Sequence, residues 1–315
     1  MLPQFVVIGA QKAGSTFLLE CLEEHPEIFM PPYEVAFFDG ELYDPANLGK
    51  FERHFQSAQP GQLIGMKRPN LLGLADCPER LHRHFPDAKL IAILRHPIDR
   101  AVSAYFHYMK TGFLPIVPVE TGLAKILAGE YDQYPRAAEV LTFGLYAKHL
   151  AAYDQCFQPE QMQVILLDEV KRDAQGVLSR LYEFLHVRSD FQPTSQRRRP
   201  MAASYSLTRL KLWESVDRWL RVSLHGGSFF ERRSGLLAKL AYRTNVLIDR
   251  TLWAKLFPAK APQLSSELRE KLKDYYRADV RRLEKRLGTK IPAWDDSNDY
   301  EKPLGTDASA ESSIN

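Results

Sequence analysis

Phe5-Val6-Val7-Ile8-Gly9-Ala10-Gln11-Lys12-Ala13-Gly14-Ser15-Thr16-Phe17-Leu18 is the stretch on which the fold turns. Its first four residues are apolar, three of them β-branched, with no polar alternation. That is the pattern of a strand covered on both faces. Gly9 and Gly14 then bound a turn, and Ser15 opens a helical pattern that runs to Glu24. In a strand–turn–helix unit of this kind, loop N–H groups and the helix N-terminus converge on an anion. The glycine spacing is G-x-x-x-x-G. An ATP-binding loop would continue Gly-Lys-Ser/Thr, whereas here Gly14-Ser15-Thr16 follows and the lysine stands inside the loop at position 12. Its ammonium therefore meets an anion from a different side. A tight βα turn with a surface lysine would carry the same spacing, so the glycines alone do not decide function.

Outward from this unit, Leu63-Ile64-Gly65-Met66, Leu90-Ile91-Ala92-Ile93-Leu94 and Val164-Ile165-Leu166-Leu167 are further buried-strand runs. Helical patterns occupy Ile98 to Met109 and Leu141 to Cys156, so strand alternates with helix and the expected fold is α/β with a parallel sheet. The run Leu90 to Leu94 leads into Arg95-His96-Pro97-Ile98-Asp99-Arg100-Ala101-Val102-Ser103-Ala104-Tyr105. Arg95 falls at the carboxyl end of a strand, where open α/β sheets bind ligands. Pro97 suits a helix start, and Ser103 follows about two turns into that helix. An arginine fork and a hydroxyl can hold a second phosphate. Two phosphate sites on one sheet point to a nucleotide with phosphate at both ends.

The composition bounds the rest. The 315 residues are 45% hydrophobic and 26% charged, with a net charge of +3. This is globular composition, too weakly basic to imply nucleic acid. Three cysteines (Cys21, Cys77, Cys156) without a C-x-x-C pair argue against a disulfide framework or a thiolate zinc site. No run approaches the roughly 20 apolar residues of a membrane span, and a strand pattern begins at residue 5, where a signal peptide would lie. A cytoplasmic location is expected. From Arg188 to Lys255 the chain holds 14 Lys/Arg against 5 Asp/Glu, with Trp213, Trp219, Phe229, Phe230 and Trp253 in mostly helical patterns. Those helices either pack their aromatic faces on the core or form a basic, acceptor-side or membrane-surface element. Ser265 to Leu287 reads as a helix capped by Ser265 or Ser266. After residue 295 the composition of Asp, Ser, Gly and Ala predicts a disordered tail over 296–315.

QKAGST at Gln11–Thr16 and LRHPIDRAVSAY at Leu94–Tyr105 resemble the two cofactor signatures of sulfotransferases that use 3′-phosphoadenosine 5′-phosphosulfate (PAPS). The likeness is greatest to the heparan-sulfate and bacterial carbohydrate-type branch. It extends through Glu34-Val35-Ala36-Phe37-Phe38-Asp39 (the E-V-x-F-F-D motif), Gly65-Met66-Lys67-Arg68-Pro69, and Gly144-Leu145-Tyr146-Ala147-Lys148-His149-Leu150, in that order. It covers most of Phe5 to Leu185 and returns weakly at Leu264 to Trp294. The resemblance implies an α/β, P-loop-like parallel sheet flanked by helices on both faces, with a helical C-terminal part. It implies a single sulfotransferase domain over 1–295, with about 188–260 as a basic, aromatic helical insertion on the acceptor side. Lys12, Ala13, Gly14, Ser15 and Thr16 would hold the 5′-phosphosulfate, and Arg95 and Ser103 the 3′-phosphate. Glu34 would be the base and Lys67 would assist near the sulfuryl group. Some members carry His at the position of Ala36, and the cysteine-bridged loop and membrane anchor of the animal Golgi enzymes have no counterpart. Those departures leave the acceptor open, as a sugar, glycolipid or small-metabolite hydroxyl or amine, and leave the cofactor untouched.

Sulfuryl transfer is an in-line displacement governed by positioning and charge stabilisation. Lys12, inside the loop, is suited to the oxygen on which negative charge grows. The group transferred carries less charge than a γ-phosphate, so no metal is expected. His107, four residues after Ser103 on the same helix face, is a rival to Glu34 as base. A late basic loop over the cofactor could come from Arg197, Arg198 and Arg199 or from Lys260. A P-loop ATPase or small-molecule kinase is the first competing class, because Val164 to Leu167 followed by Asp168-Glu169 imitates a Mg²⁺-placing strand; Asp168 is more simply a helix cap. A non-catalytic nucleotide-binding scaffold is the second.

Overall fold

The computed structural model describes residues 2–197, 206–224, 229–232, 235–260 and 262–295. Five strands, β1 (Phe5–Gly9), β2 (Ile28–Phe29), β3 (Leu63–Lys67), β4 (Lys89–Leu94) and β5 (Met162–Leu166), form one sheet in the order β2-β3-β1-β4-β5. Every pairing is parallel, with Val6 opposite Met66 on one side and Leu90 on the other. Successive residues of β1 serve opposite faces, as the period of two requires. Val6 and Ile8 join Met66, Leu90 and Ala92 in one core, while Phe5 and Val7 join Ile91, Ile93 and Ile165 in the other. Both faces are thus covered, which explains the unbroken apolar runs. Burying each such side chain stabilises the fold by about 1.5–3 kcal/mol.

Helices α1 (Ser15–Glu23), α8 (Leu167–Arg172) and α9 (Ala174–Leu185) cover the second face. The first carries α2 (Leu48–Glu52), α3 (Cys77–His84) and α7 (Tyr146–Tyr153), with α13 (Ser266–Leu287) and α14 (Pro292–Asp295) closing over it. A third core joins α4 (Pro97–Thr111), α5 (Val119–Leu127), α6 (Glu139–Thr142), α10 (Leu207–Leu220) and part of α13. The return of α13 is fixed by a charge. Asp279, buried, accepts hydrogen bonds from the N–H groups of Ala147 (2.9 Å) and Lys148 (3.0 Å) in the first turn of α7. It satisfies donors that the helix itself leaves unpaired. Ser265 is the residue that caps α13, accepting from Leu268 N–H at 3.2 Å.

Four expectations are corrected. The pattern from Leu141 to Cys156 is two helices, α6 and α7, separated by Phe143-Gly144-Leu145; a Cβ at Gly144 would lie 2.9 Å from the Tyr276 ring. Leu167 ends no strand but opens α8. Asp168 is not the cap: it sits inside the first turn, and Glu169 Oε2 accepts from Leu166 N–H at 3.3 Å. The basic aromatic segment is not wholly helical. Between α10 and α11 (Leu236–Ile248) lies an antiparallel pair, β6 (Arg221–Leu224) and β7 (Phe229–Arg232). Phe229 and Phe230 belong to β7, and the sequence between the strands holds Gly226-Gly227, a hairpin dipeptide. From α11 the chain passes through a π turn at Asp249–Trp253 into α12 (Ala254–Leu256). No helix among the described residues is long and apolar enough to cross a membrane. The expected tail over 296–315 lies outside the described residues.

Candidate active site

The carboxyl ends of three adjacent strands, β3, β1 and β4, deliver Lys67, the Gly9–Gly14 loop and Arg95 to one edge of the sheet. The loop backbone is left-handed at Lys12 (φ 67°) and at Gly14 (φ 101°), the residue that caps α1. At Gly14 glycine is required twice over, because a Cβ there would also lie 2.9 Å from Leu167 Cδ1. Ala10 N–H is tied to Ile93 O at 2.7 Å, Ala13 N–H to Ala10 O at 3.1 Å, and Phe17 N–H to Gly14 O at 3.0 Å. The N–H groups of Lys12, Gly14, Ser15 and Thr16 have no backbone partner among the described residues. Ala13 is buried against the first core, Ser15 is buried and Thr16 is exposed. A short loop with free N–H groups at a helix N-terminus is built for an anion.

One ammonium links this loop to the acidic motif. Lys67 is 3% exposed, and its Nζ donates to Thr16 Oγ1 at 3.3 Å and pairs with Glu34 Oε1 at 3.1 Å. Glu34 Oε2 meets Arg68 Nη1 at 3.1 Å, and Arg68 in turn holds buried Asp39 through Nε, at 3.0 and 2.8 Å to its two oxygens, and through Nη2. Burial opposes the charge on Arg68, but Asp39 and Glu34 outweigh it and its pKa is raised. Glu34, about one-third exposed, is thus a carboxylate held between two cations with an open side.

Lys12 is held differently. Burial lowers its pKa first; Lys110, Arg95 and Lys67 lower it further, and Glu34 opposes them. Four cations therefore converge on the loop against one carboxylate. Arg95 has a weak ion pair with Asp99 at 3.8 Å, and its buried Nε has no hydrogen-bond partner among the described residues. Tyr146 Oη donates to Arg95 O at 2.8 Å and fixes the turn, while His96 packs against Trp294 with 6.1 Å between rings. Ser103 is buried two turns along α4. An unpaired guanidinium nitrogen, unpaired loop amides and mutually repelling cations all fit a ligand with phosphate groups.

His107 lies on the same helix, with its pKa pushed down to about 3 by burial and by Lys12, Arg136, Lys110 and Arg68. Sequence reading did not single out the layer behind the loop. Gln11 Nε2 donates to Asn70 Oδ1 (3.1 Å) and to Tyr108 Oη (3.2 Å), and Tyr108 Oη donates to Glu139. Arg136 pairs with Glu139 and lies over the rings of Tyr108 and Phe113. Lys110 could have been found, since 103, 107 and 110 share one helix face; Arg136 carries no local signal. Of the late basic residues, Arg198 and Arg199 and the side chain of Arg197 lie outside the described residues, and Lys260 is exposed between α12 and α13. Asp168 is engaged by Trp294 Nε1 (3.2 Å) and Lys171 (3.1 Å).

A family profile described as "Sulfotransferase domain" matches residues 2–215, more than half of the chain. The chain belongs to the sulfotransferase domain family. Among curated proteins, heparan sulfate glucosamine 3-O-sulfotransferase 3B1 of Homo sapiens is 31% identical over 186 residues, covering 58% of this chain and 46% of that protein. Heparan sulfate glucosamine 3-O-sulfotransferase 6 of Mus musculus is 30% identical over 186 residues, with 58% and 52% covered. The chain thus spans about half the length of the curated relatives it matches. Among solved structures, a sulfotransferase from Alicyclobacillus acidocaldarius superposes with a TM-score of 0.65 at 24% identity, covering 94% of this chain and 100% of that one. That likeness bears on the fold, which is the α/β, P-loop-like architecture expected from the sequence.

Proposed function

We propose that this chain transfers a sulfuryl group from PAPS to a hydroxyl of a carbohydrate-type acceptor. The observation that carries the reading is the convergence of Lys12, Lys67, Arg95 and Lys110 on the Gly9–Gly14 loop, with Arg95 Nε buried and without a hydrogen-bond partner among the described residues. The names of the curated relatives support a sugar acceptor. PAPS would supply an activated sulfuryl group and a leaving group with phosphates at both ends. The amides of Lys12, Gly14, Ser15 and Thr16 and the start of α1 bind its 5′ side, and Arg95 with Ser103 binds its 3′-phosphate.

Lys12 places its ammonium where negative charge grows as the bond to sulfur breaks, a contact worth on the order of 100-fold or more in rate. An anion at this spot also relieves the repulsion among the four cations. Glu34 accepts the acceptor's proton from its open side. Lys67 orients that carboxylate and, through Thr16, ties it to the loop, so base and donor site keep a fixed relation. A histidine held at about 3 is a feeble base at neutral pH, which supports Glu34 over His107. Asp168 is engaged by Trp294 and Lys171 and Glu169 by Leu166 N–H, which counts against the pair as the metal-placing acids of a kinase.

Calorimetric titration with adenosine 3′,5′-bisphosphate and with ATP, on wild type and Arg95→Ala, tests the reading. Tight, Mg²⁺-independent bisphosphate binding that the substitution weakens at least about tenfold is expected, from loss of a charge-assisted contact to phosphate. Mg²⁺-dependent ATP binding with no preference for the 3′-phosphate would sink it.

A further inference from the structure

Helix α11 is amphipathic in the wrong sense for a helix packed on a protein. Its inward side, continued into the π turn, is Ala238, Tyr242 and Asp249: Ala238 is buried, the Tyr242 ring lies 6.1 Å from Trp213 of α10, and Asp249 pairs with Arg209 of α10 at 2.8 Å. Its outward side is leucine. Leu236 and Leu237 are 84% and 76% exposed, and Leu240 and Leu247 are 59% and 62% exposed. Leu236, Leu240 and Leu247 fall at i, i+4 and i+11, one stripe of the helix, with Leu237 and Ile248 along one border. Along the other border lie Lys239, Arg243 and Arg250, all exposed. Beyond the π turn, Leu252 and Leu256 are exposed as well, beside Lys255. On α10, Leu212 and Trp219, seven residues apart, are exposed next to Lys211 and Arg218.

From Leu236 to Leu256 the only acid is Asp249, and Arg209 neutralises it from the inward side. The outward surface of α11 is therefore leucine edged by cations with no acidic partner among the described residues, while on α10 Arg218 pairs with Glu214 at 2.7 Å. A protein partner would have to bring a matching apolar face rimmed by acids, and a second copy of this chain would bring cations against cations. An anionic bilayer supplies both requirements at once, an apolar layer beneath negative headgroups. We infer that the α10–α11 hairpin is a docking surface for an anionic lipid membrane, with the leucine stripe entering the headgroup–acyl boundary and Lys239, Arg243 and Arg250 on the lipid phosphates. The hairpin adjoins the helix that carries Ser103 and Lys110, because Leu210 of α10 packs with α4 in the third core. Docking does not depend on the sulfuryl-transfer reading and is tested without turnover.

The full chain is sedimented with vesicles of phosphatidylcholine alone and of phosphatidylcholine mixed with phosphatidylglycerol, at low and high salt. Binding to the anionic vesicles only, weakened by salt, is expected. Leu240→Glu with Leu247→Glu should reduce it at least about tenfold, and Arg243→Glu with Arg250→Glu by about fivefold or more for each cation lost. Because these side chains are exposed, both variants should keep the wild-type thermal midpoint and the wild-type affinity for adenosine 3′,5′-bisphosphate. Three results would overturn the inference: no binding to anionic vesicles, equal binding by the variants, or a wild-type dimer in solution that the leucine substitutions convert to monomer.

Discussion

Replacing His107 by Gln should make the protein less sensitive to acid. In the folded chain burial and the charges of Lys12, Arg136, Lys110 and Arg68 hold the imidazole at about 3, against 6.5 for a free histidine. A group whose folded pKa is the lower one takes up its proton more readily once the chain unfolds. Its stabilising contribution is therefore complete above pH 6.5 and is lost as the pH falls through 6.5 toward 3. The loss is about 1.4 kcal/mol per pH unit, so bringing the wild type to about pH 5 costs about 2 kcal/mol through this residue alone. Urea unfolding of wild type and His107→Gln at neutral pH and at about pH 5 isolates the effect, since every other titrating group is common to both. The variant should lose about 2 kcal/mol less than the wild type. Two of the charges that depress His107, Lys12 and Lys110, belong to the proposed donor site, so saturating adenosine 3′,5′-bisphosphate should shrink part of the difference by offsetting them. Equal acid loss in both proteins would refute the reasoning, because it would mean that burial and the neighbouring cations do not hold the imidazole neutral.

Three further outcomes follow from the same geometry. Glu34→Gln should lower kcat by about 10²–10⁴-fold, the range of a removed general base, without weakening bisphosphate binding; steady-state kinetics beside calorimetry separates the two, and unchanged turnover would remove Glu34 from the mechanism. Gly14→Ala should destabilise the fold by about 1–2 kcal/mol from the left-handed backbone alone, with the overlap on Leu167 in addition. An unfolding midpoint equal to wild type would contradict the loop geometry. Asp279→Ala strands the N–H groups of Ala147 and Lys148 inside the protein and should cost about 2 kcal/mol or more in urea unfolding; a loss within about 0.5 kcal/mol, the range of ordinary surface changes, would show that α13 does not cap α7.

The central sheet was legible because burial on both faces writes itself as consecutive apolar residues, as in Phe5–Ile8 and Leu90–Leu94, and such runs require no partner to be recognised. Strand β2 was not, since two residues, Ile28 and Phe29, are too few to carry a period. The break between α6 and α7 was missed for a different reason. Leu141 to Cys156 keeps helical apolar spacing throughout, and what interrupts it at Gly144 is the close approach of Tyr276, 132 residues away. The hairpin of β6 and β7 was hidden by aromatic residues that suit a helix face and a strand equally.

In the site, the same division separates contiguous from convergent groups. Lys12, Glu34, Lys67 and Arg95 each stand at the end of a strand or in a short motif, so their types and order suffice to nominate them. What no local pattern carries is how their charges combine. Arg68 follows Lys67 directly and, in a strand, would point to the other face, yet it closes on the same Glu34 because β3 ends at Lys67 and the alternation ends with it. Lys110 on α4 and Arg136, in the turn before α6, both act on His107 from elements whose placement depends on the third core, not on β1 or β4. The catalytic consequence follows from that convergence. An isolated Lys12 would be an ordinary surface ammonium, whereas burial and the charges of Lys110, Arg95 and Lys67 disfavour the charged form of Lys12, an effect that bound phosphates would oppose on the proposed function. On the proposed function, preference for a doubly phosphorylated nucleotide would then draw on relief of the repulsion among the cations as well as on the direct contact of Arg95. Removing a single cation should therefore lower the affinity for the bisphosphate by less than its direct contact is worth, because the remaining cations repel one another less in the free protein.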